Sequence, residues 1–277
     1  MRRAAFLLAV LTAIALLTGC PGKRRTEETS GRIVTLSPAL TETAFAVGCG
    51  PSLVGRTDAC DYPEEACFLP EIGRFGDPDA ERTLRLKPDM ILANTLVNPR
   101  LRNTFGNAGI RVIVKPCESV EDYLGWLDIF ENDLHAPGAK SEREQTLRLL
   151  EEFRKTEPSG RNVLFLLWDD PLLAAGSGTL PDTAIRLAGA KNAGAGDKGY
   201  YKCSREYLLS GGIDVIVWAM NKPVPEFYAK RWKVYAGFDL NTLLRPGPRF
   251  LRHGVPELRN FLMKQRQTGM PPEGAAQ

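Results

Sequence analysis

Residues Glu81–Asn94 read ERTLRLKPDMILAN, and residues Glu206–Ala219 read EYLLSGGIDVIVWA. In each, a glutamate starts a short amphipathic run, and eight residues later an aspartate opens an apolar strand. Most letters differ, so this is a repeat of placement rather than of sequence. The shared spacing predicts two similar lobes, each showing a glutamate in the first turn of a short helix.

The surroundings of both stretches read as alternating strands and helices. Upstream of the first, RIVTL (32–36) is a β-rich run, and Ser37-Pro38 supplies an N-cap and first-turn proline for a helix that stops at Gly48. LVGRT predicts a second strand, DYPEEA a turn with a short helix, and Asp79 a cap for ERTLRLK. IRVIVKP then reads as a strand and SVEDYLGWLDIFENDL as a helix capped by Ser119. After Arg161 the pattern restarts with NVLFLLW, SGTLPDTAIRLAGAKN and DVIVWAM, then a last strand KVYAGF and a closing helix VPELRNFLMKQR. The strands are continuous apolar runs, which belong to parallel sheets buried on both faces. Between the halves, KSEREQTLRLLEEFRKTE carries Leu147, Leu150 and Phe153 at helical spacing and is otherwise charged. The predicted fold is α/β, two lobes with central, mainly parallel sheets joined by a single long helix. The expected boundaries are 32–135 for the first lobe, 139–158 for the helix and 160–266 for the second lobe.

Composition narrows the function. The chain has 277 residues, 43% hydrophobic and 25% charged, with a net charge of +3. Such a weak, dispersed positive balance argues against a nucleic-acid partner. At the N-terminus, a short basic segment MRR precedes fourteen charge-free apolar residues, Ala4–Leu17. That length suits a signal-peptide core and is short for a membrane span. LTGC (17–20) follows and resembles the lipobox of bacterial lipoproteins. The resemblance implies removal of residues 1–19, lipidation of Cys20 and a flexible tether over 20–31, hence an exported, membrane-anchored protein at the periplasmic or outer face of the cell membrane. Which membrane holds the anchor stays open. Disulfides are permitted in that compartment. Cys49, Cys60, Cys67, Cys117 and Cys203 allow at most two, and the sequence selects no pairing, although Cys60 and Cys67 are the nearest in the chain. His135 and His253 are far apart and in no metal-ligand spacing.

The ordered set RIVTLSPALTETAFAVG (32–48), LVGRTDACDYPEEA (53–66), LPEIGRFGDPDAERTLRLKPDMILA (69–93), GIRVIV (109–114), CSREYLLSGGIDVIVW (203–218) and RPGPRF (245–250) resembles the helical-backbone, class III substrate-binding proteins of ABC importers. These take up cobalamin, ferric siderophores or haem, and the likeness is greatest to the cobalamin-binding branch. It implies that Glu81 and Glu206 dock on the membrane permease, which works with its ATPase, and that a small metal chelate lies between the lobes. The chelate is a cobalt corrinoid or a ferric complex carried as cargo; no intrinsic cofactor, no direct metal ligand, no catalytic residue and a monomeric state are implied. The positions matching the family's ligand wall are Ser37, Pro38, Ala59, Phe75 and Asn94 on the first lobe. Trp168, to within one place, Tyr200 and Arg245 match on the second. Ala59 and Asn94 depart from the aromatic character of the cobalamin binder, while Phe75 and Tyr200 keep it. Trp168 and Trp218 end buried strands and fit core packing equally well. Tyr200 and Tyr201 sit in a glycine-rich loop, GAGDKGYY. Arg56, Arg74, Arg100 and Arg245 are candidate partners for an anionic chelate, and Cys60 or Tyr62 for a haem iron. This ranks a corrinoid first, a ferric siderophore second and haem third.

Other classes find less support. Gly176-Ser177-Gly178 lacks the Gly-x-Ser-x-Gly elbow of a hydrolase, and no phosphate-binding Gly-x-x-x-x-Gly-Lys-Ser/Thr loop occurs. Asp169 and Asp170 are adjacent on a strand and point apart. AKRWK (229–233) reads as a solvated face. A non-transport interaction or sensor lipoprotein of the same fold is the alternative from another class.

Overall fold

The computed structural model describes residues 31–210 and 212–267. The leader, Cys20 and most of the tether (1–30) lie outside the described residues. The first sheet holds β1 (Ile33–Thr35), β2 (Leu53–Arg56), β5 (Met90–Ala93) and β6 (Arg111–Val114) in the order β2-β1-β5-β6, all parallel. A two-stranded hairpin, β3 (Gly73–Arg74) with β4 (Asp77–Pro78), stands beside it. Its helices are α1 (Pro38–Ala46), α2 (Ala80–Arg85), α3 (Pro99–Asn107) and α4 (Val120–Asn132). Then α5 (Ala139–Arg154) leads to the second sheet. That sheet comprises β7 (Asn162–Asp169), β8 (Leu172–Ala175), β9 (Lys191–Asn192), β10 (Tyr200–Lys202), β11 (Val215–Trp218) and β12 (Lys233–Tyr235), in the order β10-β8-β7-β11-β12 with β9 also on β7. Its helices are α6 (Leu180–Leu187), α7 (Arg205–Ser210), α8 (Glu226–Ala229), α9 (Asn241–Leu244) and α10 (Val255–Gln267).

The continuous apolar runs are explained by burial on both faces. Along β7, Val163 and Phe165 enter one core cluster and Leu164 and Leu166 the other; β11 repeats this with Val215 and Val217 against Ile216 and Trp218. In the first sheet, Ile33 and Leu92 face one cluster, Val34 and Ile91 the opposite one. Trp218 is therefore a core residue, 4.9 Å from the ring of Tyr228, which decides between its two sequence readings.

The paired aspartates have a common structural job. Asp89 Oδ2 accepts from the backbone N–H of Arg32 at 2.7 Å, and Asp214 Oδ2 from that of Asn162 at 2.7 Å. Each aspartate also donates its own N–H to the carbonyl of that same residue. Each thus secures the start of its lobe's central strand from the neighbouring one. Gly31 is tied to this arrangement, because a Cβ there would lie 2.2 Å from Asp89 Oδ2.

Three expectations change. The second sheet has an antiparallel side, β7-β8-β10, that the apolar pattern did not reveal: Asp170-Pro171 turns the chain back on itself, and LLAA is too short to stand out. Consequently Tyr200 and Tyr201 lie on strand β10, not in a loop. The preceding glycine-rich run lets backbones come close, since a Cβ on Gly176 would meet Asp197 O at 2.2 Å. On α5 the buried stripe is Ala139, Glu142, Thr146, Leu150 and Phe153, while Leu147 is exposed. The polar members were hidden from a hydrophobic count. Ala139 belongs to a core cluster of the first sheet and Leu150 and Phe153 to one of the second, so the two cores are spliced by one helix.

Candidate functional site

The two glutamates occupy equivalent positions. Asp79 caps α2 by accepting from Arg82 N at 2.9 Å; Ser204 does the same for α7 by accepting from Tyr207 N at 3.1 Å. Glu81 and Glu206 are each the second residue of their helix, and both are exposed. Hydrogen bonding to its own backbone N–H and to the Ser204 hydroxyl holds the Glu206 carboxyl below the usual range. Glu81 has a long pairing with Arg85, 4.0 Å on the open surface, which leaves it available to another cation. Both project a carboxylate from a helix start whose dipole favours it.

Open α/β folds bind ligands in a cleft at the carboxyl ends of their parallel strands, and the two halves of this chain touch through segments that follow such ends. At one end, the segment after β2 touches the segment after β12. Arg245 donates to Asp61 Oδ1 at 2.7 Å and to Ala59 O at 3.2 Å, and Asn241 donates to Asp61 Oδ2 at 3.3 Å. Deeper in, Arg249 grips Glu42 of α1 with two bonds, Nε to Oε2 at 2.9 Å and Nη2 to Oε1 at 2.5 Å. Its third nitrogen bonds Asp239 at 2.7 Å, and its plane covers the Tyr62 ring at 4.0 Å. The side chains of Glu42 and Arg249 are 3% and 9% exposed, so this is a buried, forked ion pair spanning the lobes. Beside it, Arg252 pairs with Glu142, which also accepts from the Tyr123 hydroxyl at 2.7 Å. At the other end, the segment after β6 faces β10. Burial and then the Glu118 carboxylate raise the Tyr200 phenol above its ordinary pKa.

Among the ring positions expected in the ligand wall, Phe75 on the β3–β4 hairpin is 38% exposed, Trp168 at the end of β7 53% and Tyr200 on β10 53%. Phe75 is positioned by its N–H on Asp58 Oδ1, 2.9 Å. Trp168 donates from Nε1 to Asp170 O at 2.8 Å and lies under Lys222, 5.3 Å from its ring centre, while Lys222 also pairs with Asp169. Its exposure sets aside the core-packing reading. Ala59 is half-buried. Ser37 and Pro38 are buried, and Ser37 begins α1 without a side-chain cap bond. Asn94 is buried and accepts from Leu96 N at 3.3 Å; with Leu36, Gly76, Pro78 and Val97 it floors a small crevice.

The arginines sort differently from their sequence reading. Arg56 is a framework residue, bonded to Thr57 O and Cys67 O and 3.9 Å from Glu71. Arg74 and Arg100 are on the open surface, and Arg245 is engaged by the opposite lobe. Cys60 is 1% exposed and its sulfur contacts the Thr41 and Thr57 hydroxyls at 3.0 and 3.2 Å, so it presents no ligand to the cleft. Tyr62 has one ring face under Arg249 and is otherwise 40% exposed. His253 lines a cavity of about 390 Å³ beside the Glu42–Arg249 pair, together with Tyr62 and Arg252, and His135 is a left-handed loop residue with φ of 51°. All five described cysteines are unbridged, Cys60 and Cys67 included. Burial pushes the Cys49 thiol up to about 11 and the Cys117 thiol up to about 12. Sequence reasoning missed Glu42, Asp61, Asn241 and Arg249. The one available signal was Glu42 itself, a lone charge in the otherwise uncharged helix PALTETAFA.

Known proteins resemble this chain in both sequence and fold. The family model for periplasmic binding proteins matches residues 33–104. A vitamin B12-binding protein of Yersinia pseudotuberculosis serotype O:1b is 28% identical over 216 residues, covering 76% of this chain and 74% of that one. The chain is thus similar to periplasmic binding proteins, by the family model over residues 33–104 and by the relative over most of its length. Among solved structures, the periplasmic haem-binding protein BhuT in complex with two haems aligns with a TM-score of 0.71 at 27% identity, over 86% of this chain and 99% of that one. The periplasmic vitamin B12-binding protein BtuF of Vibrio cholerae aligns at 0.67 and 23% identity, over 87% and 99%. The chain has the fold of these proteins, and the relatives it matches are vitamin B12- and haem-binding proteins.

Proposed function

We propose that this protein captures a cobalt corrinoid between its lobes and delivers it to an ABC permease. The observation that carries the reading is the trio Phe75, Trp168 and Tyr200, large rings left exposed at positions that match the ligand wall the resemblance implies. A corrinoid brings its cobalt already enclosed in a macrocycle, so flat apolar surface and hydrogen bonds suffice to hold it. The vitamin B12-binding relatives support the same choice. Haem is the second reading, favoured by the likeness to BhuT and by the exposed Tyr200 phenol. Against it, a tyrosinate ligand needs a lowered pKa, whereas burial and Glu118 raise that of Tyr200.

In this proposal Glu81 and Glu206 meet basic pockets of the permease, residues 32–135 and 160–266 act as the two lobes about the helix near 139–158, and a lipid on Cys20 keeps a monomeric protein at the membrane. Several acyl chains on one residue give durable attachment, each buried CH₂ adding roughly 0.8 kcal/mol. The ligand choice is tested by parallel calorimetric titrations of residues 26–277 with cyanocobalamin, a ferric hydroxamate siderophore and haemin. One-to-one, sub-micromolar binding (about −8 kcal/mol or better) is expected for the corrinoid. Binding of haemin or the ferric chelate without the corrinoid would transfer the protein to that cargo.

A further inference from the structure

We infer that Asp61 makes the cleft selective for charge, admitting a corrinoid whose ring carries carboxamides and rejecting one whose ring carries carboxylates; this rests on the corrinoid reading above. At the β2/β12 end of the cleft, three carboxylates face two guanidiniums. Glu42, Asp61 and Asp239 are matched against Arg245 and Arg249, so negative charge is in excess by one. The arginines there are already engaged. Arg249 spends all three nitrogens on Glu42 and Asp239, and Arg245 spends its two terminal nitrogens on Asp61, Glu42 and Ala59 O. Arg74 stands on the separate hairpin, across from Asp77.

An incoming carboxylate therefore finds no unspent guanidinium in this cluster. To reach Arg245 it must displace Asp61 while meeting the surplus negative charge, a like-charge encounter that disfavours the wrong partner. A carboxamide meets no such barrier. Its NH₂ donates to Asp61, whose side chain is 53% exposed, and its oxygen accepts from the second N–H of the Asn241 amide without disturbing the Asp61–Arg245 pair. Asp61 is thus the member of the cluster placed both to read the cargo and to hold Arg245.

The test compares dicyanocobinamide with dicyanocobyrinic acid, in which carboxylates replace the ring amides, on the wild-type protein and on Asp61→Asn. Asparagine keeps the size and the acceptor oxygen and removes the charge. Wild type should bind the amide form at least about tenfold more tightly than the acid form, and Asp61→Asn should reduce that ratio about tenfold. The ratio is read on one preparation of each variant, so a loss of folded protein does not alter it. Equal binding of both ligands by wild type, or an unchanged ratio in Asp61→Asn, overturns the charge selection and leaves the corrinoid reading standing. Binding of neither corrinoid by either variant overturns the corrinoid reading, and the selection with it.

Discussion

Replacing Glu42 with alanine is expected to destabilise the protein by about 3–5 kcal/mol, the cost of stranding a buried charge when its partner is removed. Glu42 is 3% exposed and receives two bonds from Arg249, whose side chain is 9% exposed. Without the carboxylate, the Nε and Nη2 donors of a buried guanidinium lose their acceptor, and Asp239 answers only its third nitrogen. In a chain of this size the melting temperature should fall by roughly 10 °C, and the denaturant midpoint should move without a change in slope. The double substitution Glu42→Met/Arg249→Leu removes both charges together and should recover most of the loss, because well-packed apolar residues often replace a buried pair at little cost. A single-variant loss under 1 kcal/mol in denaturant titration would show that this pair is not desolvated.

The second large effect concerns delivery rather than stability. Reversal of both Glu81 and Glu206 to lysine should abolish ligand transport by the reconstituted importer while leaving ligand affinity unchanged and lowering the melting temperature by only a few degrees, the cost of a cation at each helix start. The two residues sit at the same place on α2 and α7, each behind a side-chain cap and each open to solvent. Two separated carboxylates fix the orientation of a docked partner as well as speeding its approach. Single reversals should weaken transport less than the double. Undiminished transport by the double variant would assign these glutamates to their helix dipoles alone.

Much of this was legible in one dimension because the decisive features are local. The repeat of Glu and Asp at equal spacing marked two lobes, since capping, helix start and strand start are all set within a dozen residues. Ser119 as a cap, Asp79 as a cap and the uninterrupted apolar strands needed no tertiary information. What escaped reading depends on partners far along the chain. The Glu42–Arg249 pair joins residues 207 apart, and Asp61–Arg245 joins residues 184 apart. No periodicity reports such a meeting. The same holds for Thr146, whose burial on α5 comes from its position between two cores rather than from its hydrophobicity. Trp168 and Trp218 look alike at the ends of apolar runs, yet one is open and the other buried. Trp218 packs on Tyr228, whereas Trp168 lies past the last β7–β11 pair, on the end of β7 that pairs with β8.

The measurement that bears most directly on the central claim is a calorimetric titration of dicyanocobinamide into wild type and into the triple variant Phe75→Ala/Trp168→Ala/Tyr200→Ala. All three side chains are exposed, so the variant should fold and melt as wild type does. If the ligand lies on these rings, each contributes about 1–2 kcal/mol of apolar contact. Wild type should bind one-to-one, and the triple variant should lose about 100-fold or more in affinity. Equal affinity in the two proteins, with equal melting temperatures, would place the ligand elsewhere and contradict the cleft as the binding site.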